Sequence, residues 1–359
     1  MSGHHDVWLD DDGWEPVNVA VVGVGYWGPN LVRNLHELPG AEVAWACDLD
    51  PEALAALSRR YPGVPRTTSY EEVLADDSVD AVVVSTPVST HHELALAALS
   101  AGKHVLVEKP LAASTGDALD LIETASDLGL VLMPGHTFLY SPPVGMIHDV
   151  IASGGLGEIY FISMSRVNLG IHQPDISVVW DLGPHDFSIL RYWLGELPET
   201  VAAMSRGCVM PDTPDVAFIH LAFGSGTIAH VELAWLAPSK LRRTTIVGSE
   251  KMIVYDDTSN ESVRIFDSGA DLGDPQTFGE YKLTYRTGDI LSPKVAATEP
   301  LALQLRDFCR AIRQGSTPRS SAEVGLDVVL VTEAVDRSLE QDGRPVQIEP
   351  RREAEPLRD

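Results

Sequence analysis

The stretch Val17-Asn18-Val19-Ala20-Val21-Val22-Gly23-Val24-Gly25-Tyr26-Trp27-Gly28 decides the fold. Val17 to Val22 is a short β-branched run of the kind buried on both faces of a parallel sheet. It ends in a glycine turn, and Asn30 to Leu38 then shows helical spacing. The turn is a GxGxxG sequence placed directly between a strand and a helix. Glycine is needed there for the tight turn, for the approach of backbone to a pyrophosphate, and for close packing of helix on strand. The start of the helix adds N–H groups and a partial positive charge for phosphates. Gly23, Gly25, Tyr26, Trp27 and Gly28 are therefore candidate dinucleotide contacts.

Asp48 lies 20 residues past Gly28, at the end of the next apolar run, Glu42 to Cys47. A carboxylate there can hold the adenosine ribose diol and repel a 2′-phosphate, which favours NAD over NADP. Asp50 adds to that bias, and no Arg or Lys follows before Arg59.

Beyond this point strands and helices alternate at short intervals. Val79 to Val84, Val105 to Val107 and Leu130 to Met133 read as strands; Pro51 to Arg60, His91 to Ala101 and Ser114 to Leu128 read as helices. That alternation predicts an α/β fold with a doubly wound parallel sheet. After Tyr140 the texture changes. Longer strand-like runs follow from Ile159 to Phe266, with Gly224-Ser225-Gly226 as a hairpin signal; Asp267 to Gln276 and Thr287 to Glu299 read as loops; Leu301 to Arg313 and Ala322 to Leu339 are helical. The expected organisation is an acidic lead-in over 1–15, a nucleotide-binding domain over 16–140, an α+β domain with a large, mostly antiparallel open sheet over 141–349, and a charged tail over 350–359.

Composition bounds the function. The chain has 359 residues, 44% hydrophobic and 22% charged, as expected of a globular protein. Asp and Glu number 52 against 26 Lys and Arg, a formal charge of −26. Such a surface repels phosphate backbones, so no nucleic-acid partner is expected. No apolar run reaches the roughly 18 to 20 residues of a membrane helix, and Met1 to Trp14 lacks a basic region followed by an apolar stretch, so neither a membrane span nor a signal peptide is expected. Cys47, Cys208 and Cys309 are sparse and odd in number, which predicts buried free thiols and a cytoplasmic location. His91-His92-Glu93 lacks a third ligand at metal spacing, so no metal is expected. His220 and His230 fall inside strand patterns, and Tyr192 and Trp193 fall at helical spacing, which suits packing.

Two further clusters carry chemistry. Ser85-Thr86-Pro87 closes one strand at the carboxyl edge, where doubly wound sheets bind ligands; a proline turn accounts for it equally well. Glu108-Lys109-Pro110 ends another strand there. Charges after an apolar strand can be mere solvated loop residues, but a partly buried amine beside a cofactor can act as a general acid or base. In the second domain Trp180-Asp181-Leu182-Gly183-Pro184-His185-Asp186 opens into a helix over Phe187 to Leu194. Asp181 and His185 share a face if the helix already includes Asp181, whereas Pro184 in a first turn would leave Asp181 just outside it.

The glycine turn, the segment STPVSTHHELALAALSAGKHVLVEKPLA (Ser85 to Ala112) and Asp181-x-x-x-His185, in this order, resemble the Gfo/Idh/MocA family, the glucose–fructose oxidoreductase and inositol dehydrogenase group. The resemblance runs from Val17 to about Glu349. It implies an N-terminal Rossmann domain and a C-terminal α+β domain whose open sheet mediates a homodimer or homotetramer. It implies an NAD-dependent oxidoreductase acting on a secondary hydroxyl of a sugar or cyclitol. Lys109 would assist proton transfer at the reacting oxygen, His185 would be the acid/base, and Asp181 would orient it and bind substrate. Ser85, Thr86, Pro87, His91 and Glu108 would lie along the cofactor, and the Lys109–Pro110 peptide would be cis.

Gly135-His136-Thr137-Phe138-Leu139-Tyr140 and Ile176 to Trp180 depart from the commoner family pattern. The run Gly135 to Pro142, with Arg166, Asn168 and Trp180 to Leu190, looks most like members acting on nucleotide-linked sugars in polysaccharide or antibiotic pathways. His136, Arg166 and Asn168 then become candidate substrate contacts, with polar strand ends as the plainer account of the last two. An inositol or aminocyclitol dehydrogenase, an NAD-dependent glycosidase and a non-catalytic NAD-binding regulator remain alternatives. The presence of Lys109, Asp181 and His185 together argues against the regulator.

Overall fold

The computed structural model describes residues 15–170, 172, 176–273 and 282–348. The lead-in as far as Trp14 and the tail 350–359, read above as polar segments, lie outside the described residues. In chain order the elements are β1 (Val17–Val22), α1 (Gly28–Glu37), β2 (Ala41–Cys47), α2 (Pro51–Arg60), β3 (Arg66–Thr67), α3 (Tyr70–Ala75), β4 (Ala81–Val84), α4 (His91–Ser100), β5 (His104–Glu108), α5 (Thr115–Asp127), β6 (Leu132–Gly135) and α6 (Pro142–Ala152). They continue with β7 (Ile159–Val167), α7 (Val178–Leu194), β8 (Pro198–Arg206), β9 (Val216–Phe223), β10 (Ile228–Ala234), β11 (Leu241–Gly248), β12 (Met252–Asp256), β13 (Val263–Gly273), β14 (Lys282–Leu291), α8 (Pro300–Gln314), α9 (Ala322–Glu340) and β15 (Val346–Gln347).

Two compact units form. Among the described residues, one comprises those up to 149 together with 187–193 and 295–329, and the other takes the rest. The first holds an all-parallel sheet in the order β3-β2-β1-β4-β5-β6, the doubly wound arrangement expected. Val19, Val21, Val82 and Val83 have no exposed surface, as befits strands covered on both faces. Polar caps start the helices: the Asp50 carboxylate accepts the Glu52 N–H at 2.8 Å, and Ser114 Oγ accepts the Asp117 N–H at 3.1 Å.

The single cut at residue 140 needs correcting. The α8 helix belongs to the nucleotide-binding unit because its apolar stripe, Leu301, Leu305 and Phe308, enters the same core as Val17, Leu31 and Leu35. Tyr140 ties into this region too. Its hydroxyl donates to Asp307 Oδ2 at 2.7 Å and accepts the Ser320 N–H at 3.0 Å.

The second unit is built on a sheet in the order β14-β13-β12-β11-β7-β10-β9-β8-β15, antiparallel except where β7 runs parallel to β10. Alternation sorts its two faces. Leu221, Ala229, Ile162, Ile246 and Ile253 are buried on one; Ala222, Ile228, Phe161, Val247, Met252 and Phe266 line up by register in one row on the other. Much of the sequence read as loops near 267–276 and 287–299 is strand: β13 and β14 pair with each other at the sheet edge, and ladder pairing overrides their small polar composition.

Two other expectations change. Cys47 and Cys309 are buried, but Cys208 is exposed. The α7 helix starts at Val178, with Pro184 inside it rather than in its first turn. The proline lacks the N–H that would bond back one turn, and the helix continues around it.

Candidate active site

The glycine turn has the shape a pyrophosphate needs. Gly23 has φ +88°, and a Cβ there would fall on the Ser85 carbonyl oxygen; one on Gly28 would fall on the Gly23 carbonyl. Over Gly25 a Cβ would meet nothing within 4 Å, so the backbone is open to a ligand at that point. No acidic side chain occupies the first turn of α1, which leaves its positive end unopposed. Asp48 Oδ2 accepts the Val24 N–H at 2.7 Å and Oδ1 accepts the Asp50 N–H at 2.8 Å. The carboxylate thereby pins the glycine turn to the end of β2, with lone pairs remaining for a ribose diol. Asp50 caps α2. These residues fit a dinucleotide.

Across the same carboxyl edge lie the ends of β4, β5 and β6. Thr86 Oγ1 accepts the Thr90 hydroxyl at 2.7 Å beside Pro87. His91 is buried, with Nδ1 2.9 Å from the Pro110 carbonyl and Nε2 3.0 Å from that of Thr86. Burial holds its pKa below the usual histidine value despite those two acceptors, and the Lys109 charge adds to the lowering. The ring therefore braces the β4 turn against the Lys109–Pro110 peptide, which is cis.

Glu108 accepts the Trp27 indole N–H on Oε1 at 3.0 Å and the Lys109 backbone N–H on Oε2 at 3.3 Å. Burial pushes its carboxyl up to about 7, against the pull of Lys109 and those two donors. Gly135, at the end of β6, faces it: a Cβ there would stand 3.0 Å from Glu108 Oε2. His136 follows, with no exposed surface and with neither ring nitrogen hydrogen-bonded among the described residues. Burial, then the Lys109 charge, pushes it down to about 3.

In the second unit Asp181 and His185 sit one turn apart on α7, both half-buried, which settles the alternative that Pro184 had left open. Asp181 Oδ2 accepts the Trp235 indole N–H at 3.0 Å. The next residue, Asp186, receives Arg166 through both oxygens: Nε donates at 3.0 Å and an Nη at 2.7 Å, with both side chains buried. Asn168 is half-buried just past β7, its N–H donating to the Ala234 carbonyl at 3.1 Å. The Trp180 indole donates to Asp336 at 2.7 Å.

The sequence therefore brings its candidates to two places. Asp48, Ser85, Thr86, Pro87, Glu108, Lys109 and His136 gather at one sheet edge with the glycine turn. Asp181, His185, Arg166 and Asn168 gather around the start of α7 in the other unit. Sequence reasoning missed Trp235 as the partner of Asp181, Asp186 as that of Arg166, and the Trp27–Glu108 bond. Each joins residues 20 or more apart in sequence, and no local spacing signals such a pair.

The comparisons agree with this division. A model described as an oxidoreductase family with an NAD-binding Rossmann fold matches residues 17–136, and one for the GFO/IDH/MocA C-terminal domain matches 145–254. The chain is similar to 4-carboxy-2-hydroxymuconate-6-semialdehyde dehydrogenase of a Sphingobium species, at 27% identity over 91% of this chain and all of the relative. It is similar also to the scyllo-inositol 2-dehydrogenase (NAD(+)) of Bacillus subtilis, at 26% identity over 94% of this chain and 97% of the relative. Among solved structures it resembles GenD2 from gentamicin A biosynthesis in complex with NAD, at 27% identity and TM-score 0.79, covering 94% of this chain and 97% of the other. It resembles the UDP-N-acetylglucosamine 3-dehydrogenase GnnA from Acidithiobacillus ferrooxidans at 25% identity and TM-score 0.76, covering 91% and 99%.

Proposed function

The chain belongs to the GFO/IDH/MocA family of NAD-binding oxidoreductases, and from that premise we propose that it acts on a secondary hydroxyl of a nucleotide-linked hexose, or on the matching ketone, in making a polysaccharide or an antibiotic sugar. It is an oxidoreductase of sugar or polyol CH–OH groups. The likenesses to GenD2 and to the UDP-N-acetylglucosamine enzyme support the finer reading. Two observations, one in each unit, support the oxidoreductase reading: Lys109 stands on the sheet edge beside a glycine turn shaped for a pyrophosphate, and the second unit carries an Asp181/His185 helical turn whose carboxylate is held by Trp235.

NAD, when bound, supplies the hydride acceptor. Lys109 hydrogen-bonds the reacting oxygen, and the His185 imidazole takes the hydroxyl proton or returns it in the reductive direction. Asp181 orients that ring and contacts the sugar, and Asn168 adds a hydroxyl contact. Arg166, spent on Asp186, and His136, enclosed beside Lys109, take supporting positions. We place self-association on the open face of the large sheet, where Phe161, Phe218 and Ile228 are exposed, and action in the cytoplasm, which suits the buried thiols of Cys47 and Cys309.

The test is NADH appearance from NAD with purified protein across nucleotide-hexoses, nucleotide-hexuronic acids, inositols and free sugars. A signal confined to nucleotide-linked sugars supports the proposal. A signal confined to cyclitols favours the second reading, an inositol or aminocyclitol dehydrogenase, which the Bacillus subtilis relative supports. Bound NAD with no turnover in either direction would sink both.

A further inference from the structure

The Trp27–Glu108 bond joins residues on opposite sides of β4. Trp27 stands at the start of α1, next to the glycine turn of β1, and Glu108 ends β5; in the sheet β4 lies between those two strands. Asp48 ends β2, on the other side of β1. A dinucleotide crossing the edge of such a sheet sets its pyrophosphate at the β1 turn and its adenosine ribose at the β2 side. Its nicotinamide half must then extend toward the ends of β4 and β5. The Glu108 carboxyl therefore stands on the nicotinamide side, held from one flank by an indole N–H.

The two redox forms of the cofactor differ there by one unit of charge, because the oxidised nicotinamide ring is cationic and the reduced ring is neutral. We infer that Glu108, positioned by Trp27, is the residue by which this protein tells NAD+ from NADH: its ionised carboxylate favours the oxidised ring, and its protonation removes that preference. Binding of NAD+ is consequently coupled to loss of a proton from Glu108, and binding of NADH is not.

The surroundings leave Glu108 as the group that titrates. From its own strand end it faces the Lys109 ammonium. From β6 it faces Gly135 and then His136, which burial keeps neutral. On α4, His91 is also held toward its neutral form and faces the Thr86 and Pro110 carbonyls. The adjacent strand β4 runs on into Ser85 and Thr86, which carry no charge. The position of the Glu108 equilibrium, about 7, puts the switch inside the working pH range. The inference needs the dinucleotide and not the sugar, so it stands whichever substrate is found.

The test uses the full-length protein without sugar. Calorimetric titration with NAD+ and with NADH, from about pH 6 to about pH 8.5 in two buffers of different protonation enthalpy, gives affinities and protons exchanged. If the cationic ring lowers the Glu108 pKa by one unit, the ratio Kd(NADH)/Kd(NAD+) rises about fivefold across that range, with proton release on NAD+ binding alone. Glu108→Gln should flatten the ratio. Trp27→Phe, which keeps the aromatic bulk, should move its midpoint to higher pH, because the carboxylate loses a donor that favours ionisation. A ratio independent of pH in the wild type, or one with the same pH dependence in Glu108→Gln, overturns the role of Glu108. An unmoved midpoint in Trp27→Phe overturns that of Trp27, and this variant also decides the case if Glu108→Gln does not fold.

Discussion

The indole of Trp235 donates to Oδ2 of Asp181 at 3.0 Å, from a side chain with about 1% of its surface exposed. Asp181 is one helical turn before His185, so a donor just past the end of β10 fixes the carboxylate that is proposed to orient the imidazole. Trp235 is itself braced, its ring centroid 5.4 Å from that of His172. A hydrogen bond to a charged group contributes about 1.5 to 3 kcal/mol, equivalent to roughly one to two orders of magnitude in rate if it is spent on positioning. Trp235→Phe should therefore lower sugar-dependent kcat/KM by about 10-fold to 100-fold while leaving the Kd for NAD unchanged. Steady-state kinetics beside NADH-fluorescence titration reads both, and an unaltered kcat/KM would show that Asp181 is oriented without the indole.

Lys109→Ala separates chemistry from cofactor binding. The amine is proposed to act on the reacting oxygen, whereas the candidate phosphate cradle is the turn of Gly23, Gly25 and Gly28. Loss of a positioned acid/base group costs typically about 100-fold to 10,000-fold. Turnover should fall by that amount with NAD affinity within a few-fold of wild type. Undiminished turnover would remove Lys109 from the catalytic set.

Asp48→Ala tests a residue with two tasks. Its oxygens accept the Val24 and Asp50 N–H groups and so hold the glycine turn, and it is the candidate ribose ligand. Removing it should weaken NAD more than NADP, because the repulsion of a 2′-phosphate goes with the carboxylate. It should also lower stability by about 1 to 3 kcal/mol through the two N–H groups left without an acceptor. Equal weakening of the two cofactors would limit Asp48 to its structural task.

The parts legible in the sequence were those governed by short-range rules. The strand–GxGxxG–helix unit, the position of Asp48, the parallel sheet and the change of texture after Tyr140 all follow from local periodicity and turn chemistry. What escaped was decided by contacts distant in the chain. The β13–β14 hairpin is held by ladder pairing despite a loop-like composition. The return of α8 to the first unit depends on Phe308 meeting a core laid down some 280 residues earlier. Arg166 read as a candidate substrate contact or a polar strand end because nothing local marks Asp186 as its partner.

Acid stability should follow His136. Its folded-state pKa is depressed to about 3, below the unfolded value near 6.5, so between those values the unfolded chain binds the extra proton. The stability it contributes is present above about pH 6.5 and is lost as pH falls toward 3. His91 acts in the same direction. Glu108 acts oppositely: raised to about 7, it favours the folded state less as pH rises from about 4.5 to 7. His136→Met should therefore flatten the fall in Tm between about pH 6.5 and pH 5. An unchanged slope would mean that other groups control acid unfolding.

The Arg166–Asp186 pair makes the sharpest stability prediction. Both side chains are buried, at 6% and 2% exposure, and the guanidinium engages both carboxylate oxygens. Removing one partner of such a pair strands a charge in a low-dielectric setting and costs about 3 to 5 kcal/mol. Asp186 directly follows His185, so a stranded carboxylate there also disturbs the turn that carries the imidazole. Arg166→Met alone should lower the urea midpoint by an amount corresponding to that cost and reduce turnover as well. The double variant Arg166→Met with Asp186→Leu removes both charges and should recover much of the stability, because apolar groups of similar size can replace a buried ion pair at little cost. Chemical denaturation of the two variants side by side decides it. If the double variant is no more stable than the single one, the pair contributes through packing and hydrogen bonding to the surrounding strands, and the stranded-charge account fails.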